Sequence, residues 1–97
     1  MRRAAKVDDN QGEIVQALRA MGCHVAITSA VGNGFPDLVV SRHATETVLL
    51  EIKDGRKPPS AQKLSDAEAK FHGQFLGPIA VVNSVESAIR AVLAVTR

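Results

Sequence analysis

The spacing of apolar positions changes several times along the chain, and each change marks an element. Behind Asp8–Asn10, Ile14, Leu18 and Met21 recur at helical spacing, and Gly22 is placed to end that helix. The short polar side chains of Asp8–Asn10 suit a helix start, where they can accept hydrogen bonds from the first free amides. Val25 and Ile27 then share one face of a short strand over His24–Thr28, and Val31–Pro36 is a turn-rich loop. Asp37–Ser41 and Thr47–Lys53 read as two strands joined by a polar loop. Asp54–Ser60 is basic and proline-bearing, a loop. Ser65-Asp66-Ala67-Glu68 is a capping box opening a helix with Leu64, Ala67, Phe71 and Phe75 along one side, and Gly77-Pro78 stops it. The near-continuous apolar run Ile79–Asn83 predicts a strand buried on both faces. Ser84 caps a last helix whose Val85, Ala88, Ile89, Val92 and Leu93 follow the amphipathic template. The order α-β-β-β-α-β-α predicts an α/β sandwich around a small mixed sheet.

Composition narrows the class. Ninety-seven residues suffice for one domain, 1–97, with residues 1–8 expected to be flexible, and an apolar content of 45% excludes a disordered chain. A lone cysteine, Cys23, excludes a disulfide framework and fits a reducing compartment. The basic N-terminus (Arg2, Arg3, Lys6) leads into no apolar run, so no secretory signal is read, and no window approaches the ~20 apolar residues of a membrane helix. A cytoplasmic protein without membrane contact is expected. Twelve Lys and Arg against ten Asp and Glu say little about partners. The distribution says more, since Lys53, Arg56, Lys57 and Lys63 cluster within one stretch.

That stretch follows the informative constellation. A strand alternates faces, so Glu51 and Lys53 point one way while Val48, Leu50 and Ile52 point the other. Asp37, Val39 and Ser41 likewise share a face. Antiparallel pairing centred on Ala44 sets Asp37 directly opposite Glu51, with Cβ atoms ~4.5–5.5 Å apart and Lys53 on the same surface. Like charges so placed are destabilising unless neutralised. A hard divalent cation does this, and carboxylate oxygens are what Mg²⁺ or Mn²⁺ prefers. A lysine beside it can orient or deprotonate a water while the metal stabilises charge building on a phosphate. Taken singly, an Asp after Pro is a turn residue and a strand Glu-x-Lys a solvated edge. Their spacing and shared face point to chemistry.

Pro36-Asp37 followed by Glu51-Ile52-Lys53 resembles the PD-(D/E)XK nuclease signature. Gly34-Phe35-Pro36-Asp37-Leu38 and Leu64-Ser65-Asp66-Ala67-Glu68-Ala69-Lys70-Phe71 are similar to its VRR-NUC branch, the virus-type replication-repair nucleases. The likeness spans about residues 10–83 and includes the branch's αβββαβ core order, a restriction-endonuclease-like arrangement followed here by a C-terminal helix. The resemblance implies that Asp37 and Glu51 bind Mg²⁺ or Mn²⁺, that the Ile52 backbone carbonyl is a further ligand, and that Lys53 positions the attacking water. It also implies an acidic residue on the first helix, for which Glu13 is the candidate. A capping-box partnership with Asn10 is the other role open to Glu13. The chain departs from the branch at Glu68 and Phe71, where Gln and Trp are common, so Glu68 adds a negative charge in place of a neutral amide.

The remaining signals are weaker. His24, His43 and His72 lack ligand spacing with one another or with Cys23, which argues against zinc. Gly32 and Gly34 are not followed by the Lys and Ser/Thr of a P-loop. Arg56, Lys57 and Lys63 read either as solvated charges or as contacts to the phosphates flanking a scissile bond. With no Trp or Tyr and three Phe, recognition should run through backbone and shape rather than base stacking. The function expected is metal-dependent cleavage of DNA phosphodiester bonds, structure-specific on branched DNA as in the Holliday-junction resolvases that stand-alone members resemble. A bacterial or phage-infected host and a homodimer go with that reading. The alternative is a non-catalytic nucleic-acid-binding or assembly module that keeps the fold.

Overall fold

Residues 7–44 and 46–96 are described in the computed structural model. The elements are α1 (Gln11–Ala20), β1 (His24–Ile27), β2 (Leu38–Arg42), β3 (Glu46–Ile52), α2 (Asp66–Gln74), β4 (Ile79–Val82) and α3 (Val85–Val95), with a short 3₁₀ turn at Pro59–Gln62. This is the α/β order that the hydrophobic pattern predicts. β1, β2 and β3 pair antiparallel and β4 joins β3 in parallel, giving a mixed four-stranded sheet in the order β1-β2-β3-β4. Within the described residues no helix is long and apolar enough to cross a membrane.

The β2–β3 register is the one that sets the site. Leu38 pairs with Leu50, Val40 with Val48, and Arg42 with Glu46, a ladder centred on Ala44. His43 takes a positive φ of 65° in the connecting turn. Leu38, Val40, Val48, Leu50 and Ile52 therefore fill one face and pack with Ile14, Leu18, Val82, Ala88 and Val92 into the core. α1 and α3 lie together on this face. Burying a Leu or Ile side chain contributes ~1.5–3 kcal/mol, so this layer carries most of the fold's stability.

Three expectations change. β4 is an edge strand rather than one buried on both faces: Val82 enters the core, but Val81 is 46% exposed. α2 buries none of its residues. Its apolar side meets an aromatic cluster instead of the core, Phe71 lying edge-on to Phe35 at 5.2 Å and stacked on Phe75 at 5.6 Å. Finally, the Asn10 side chain does not cap α1. Its Nδ2 donates to the carbonyls of Lys53 (3.2 Å) and Asn83 (3.3 Å), tying the start of α1 to the ends of β3 and β4. Helix ends need such tertiary ties when their own caps are unused. The capping boxes at Ser65/Glu68 and Ser84/Ser87 both form.

Of the stretch expected to be flexible, residues 1–6 lie outside those described. Val7 and Asp8 are placed, and Asp8 accepts a hydrogen bond from the Gln11 amide through its carbonyl, at 3.0 Å.

Candidate active site

Asp37 sits one residue before β2 and Glu51 near the end of β3, so the β2–β3 ladder carries both to the same end of the sheet. Asp37 Oδ2 accepts a hydrogen bond from the Ile52 amide at 2.7 Å, and the Asp37 amide donates to the Leu50 carbonyl at 3.0 Å. The aspartate is thereby fixed across the strand end, with its second oxygen left over. The amide and carbonyl of one strand residue point to the same neighbour, so the Ile52 carbonyl lies on the Asp37 side of β3 while its side chain is in the core.

Glu51 is 3% exposed, and its Oε1 is buried without a hydrogen-bond partner. Burial, then the charge of Asp37, pushes its carboxyl up to about 9. Burial also raises Asp37, against the opposing Ile52 hydrogen bond. Two carboxylates in so confined a space cannot both ionise unless a cation joins them. Lys53 Nζ lies 3.9 Å from Glu51 Oε2 and only 2.9 Å from Glu68 Oε1. Burial disfavours the Lys53 ammonium, but its hydrogen bond to Glu68 and the surrounding negative charge outweigh this and raise its pKa. Burial of Glu68 is in turn overcome by Lys53 and the Ser65 amide, which hold its carboxyl below the usual range.

Glu68 Oε1 thus accepts from two donors at once: the Ser65 amide at 2.8 Å, closing the capping box, and the lysine. Gly34 makes this docking possible. Its φ is +81°, and a Cβ there would run into the Ala67 carbonyl, so only glycine lets the loop before Asp37 lie against the first turn of α2.

Around these residues is a cavity of about 270 Å³ lined by Asp8, Asp37, Glu51, Lys53, Lys57, Ala61 and Glu68. Four acids thus face two lysines. Sequence reading alone did not select Asp8; as a short polar residue before a helix it carried only the signal of a cap. Its Oδ1 lies 3.6 Å from Lys57 Nζ. Glu13 stands elsewhere. It is exposed, 3.9 Å from Arg56 Nη2, and lines a separate hollow with Asn10, Asp54, Asn83 and Ser84. No capping box joins it to Asn10.

The predicted basic rim divides in the same way. Arg56 is committed to Asp54, whose two oxygens accept from its Nε (2.9 Å) and Nη2 (3.0 Å). Lys57 borders the cavity, and Lys63 is exposed with no ion pair among the described residues.

Among the described residues there is no group of three or more His, Cys, Asp and Glu able to hold a metal. Two carboxylates and a carbonyl, with one buried carboxylate oxygen unpartnered, fit an ion that keeps several of its waters, as Mg²⁺ does. No protein-family model matches the chain, and neither a curated protein nor a solved structure matches it.

Proposed function

We propose that this protein is a Mg²⁺- or Mn²⁺-dependent deoxyribonuclease of the PD-(D/E)XK type. The observation that carries the reading is the buried Glu51 carboxyl, its Oε1 unpartnered and its Oε2 3.9 Å from Lys53 Nζ, lining one cavity with Asp37. Asp37 and Glu51 would hold the ion, with the Ile52 carbonyl completing the protein's share. When bound, the ion supplies Lewis acidity at the phosphate and lowers the pKa of a bound water.

The chain's own groups do the rest. Ile52 fixes one Asp37 oxygen through its amide, which leaves the other oriented. Lys53, kept as an ammonium by Glu68, donates hydrogen bonds to the attacking water or to a phosphate oxygen and does not serve as the proton acceptor. Asp8 takes the place at the cavity that the resemblance gives to an acid on the first helix. Lys57 and Lys63 are the contacts to flanking phosphates, and branched DNA is the substrate form to try first.

Cleavage of branched and linear DNA with Mn²⁺ or Mg²⁺ tests the assignment. Wild type should cut and Asp37→Ala should lose at least a hundredfold, because one carboxylate ligand supplies several kcal/mol of charge stabilisation. Equal activity in the two proteins would end this reading. Titration calorimetry with Mn²⁺ separates out the second reading, a non-catalytic DNA-binding module, which the Lys53–Glu68 clamp favours. Such a module would give no Mn²⁺ heat that vanishes in Glu51→Gln.

A further inference from the structure

Residues 63–77, which include all of α2, are joined to the rest of the protein by a single hydrogen bond among the described residues: Lys53 Nζ to Glu68 Oε1, at 2.9 Å. The other bonds of this stretch close within it. The Ser65 amide donates to Glu68, the Glu68 amide to Ser65, and the Ala69 and Phe75 amides to the carbonyls of Ser65 and Phe71. α2 buries none of its residues and rests on the body through the Phe35–Phe71 ring pair and the approach of Ala67 to Gly34. Exposed segments, 58–61 and 75–77, flank it. An element held this way opens at low free energy.

Its one polar tie engages the lysine that the proposed reaction assigns to the attacking water or to a phosphate oxygen. Glu68 Oε1 already stands where such an oxygen would sit, at charge-assisted hydrogen-bond distance from an ammonium whose side chain is only 13% exposed. A phosphodiester brought to the same ammonium meets this carboxylate at close range, and like charges so placed repel.

We propose that Glu68 is an internal stand-in for the substrate phosphate and that α2 is an autoinhibitory latch. The carboxylate occupies Lys53 in the free protein, and an arriving phosphodiester displaces it and releases the helix. This rests on the nuclease reading, which places phosphate at Lys53. One ion pair is exchanged for another: Lys53 stays an ammonium, and Glu68 leaves as a carboxylate with its Ser65 hydrogen bond kept. Phosphate also gains Lys57, which borders the same cavity and is paired with Asp8 rather than with Glu68. Because two anions compete for one cation, the coupling is reciprocal, and whatever weakens the hold of Glu68 strengthens phosphate binding by the same factor.

Amide exchange over Asp66–Gln74 in the full chain with Mn²⁺, before and after adding a branched DNA whose phosphorothioate linkages resist cleavage, tests the latch. Wild type should exchange at least about threefold faster there with DNA bound. Glu68→Gln keeps an acceptor for the Ser65 amide and removes the charge. Its α2 should exchange fast without DNA, and its DNA affinity, read by fluorescence anisotropy, should rise about tenfold. Asp66→Asn removes the same charge from the same first turn without touching Lys53, and should raise affinity by no more than about twofold. Wild-type α2 slowed or unchanged by DNA, DNA that does not bind, or a Glu68→Gln gain no larger than that of Asp66→Asn would each overturn the proposal. The first two outcomes need no variant to fold. A chain that cleaves DNA while α2 stays docked refutes the latch alone, and one that releases α2 to unmodified DNA without cleaving it refutes the nuclease reading alone.

Discussion

Glu51 is an ionisable side chain buried in the sheet's end, with Lys53 Nζ 3.9 Å from its Oε2. Without metal its carboxyl is pushed up to about 9 by burial and by Asp37, whereas in the unfolded chain it titrates near 4.5. Across that interval the folded state holds the proton and the unfolded state does not, so stability falls as pH rises from about 4.5 toward 9. Urea unfolding of metal-free protein should show this loss, on the order of a few kcal/mol. Glu51→Gln should flatten the profile, and Mn²⁺ should restore stability to wild type but not to the variant. Asp54, held low chiefly by the Arg56 hydrogen bonds, has the opposite sign, and its contribution disappears as pH drops below the ordinary carboxylate range. Glu68 is the second residue with more than one duty. Its shared oxygen predicts that Glu68→Gln, which keeps the acceptor, preserves the α2 cap, while Glu68→Ala costs α2 about 1 kcal/mol. Hydrogen exchange at the Ser65 amide, which loses its acceptor in Glu68→Ala and keeps it in Glu68→Gln, would register the difference.

At the scale of elements, the two faces of the sheet differ in what holds them. α1 and α3 share a buried layer with the strands, but α2 is retained by its lysine clamp, the Phe35–Phe71 contact and the close approach at Gly34. α2 should therefore open at much lower free energy than the core strands, visible as faster amide exchange over Asp66–Gln74 than over Glu46–Ile52. Gly34→Ala forces a side chain into both a positive φ and the α2 backbone, and should cost about 1–3 kcal/mol while raising exchange throughout α2. Leu50→Ala, in the fully buried layer, should cost about 2–5 kcal/mol globally and leave the exchange order of the elements intact. The capping box made the start of α2 legible in the sequence because its partners are three residues apart. Its lack of burial was not legible, since Phe71 and Phe75 give the same spacing whether the helix meets a core or other aromatics.

For the molecule as a whole, the near-balance of charges conceals a division between committed and available cations. Arg56 is bound to Asp54, while Lys63 is exposed beyond the cavity. On the DNA-binding reading, Lys63→Ala should lower the slope of log affinity against log salt by about 1. Arg56→Ala should leave that slope nearly unchanged and act instead on the 54–57 loop. Fluorescence anisotropy on a branched duplex across salt concentrations checks both, and an equal loss from the two variants would contradict the division.

The sequence by itself determined the element order, the β2–β3 register and the meeting of Asp37 with Glu51. These follow from period-2 and period-3.6 patterning and from pairing about one short loop, all local or nearly so. Only the tertiary structure decided that Asp8 rather than Glu13 lines the cavity, that Asn10 ties strand ends instead of capping, and that Arg56 is spent on Asp54. It also decided that the most apolar strand is an edge. Such outcomes depend on which distant segments approach one another, and a hydrophobic run has the same pattern whether a neighbouring strand, a helix or a second copy of the chain covers it.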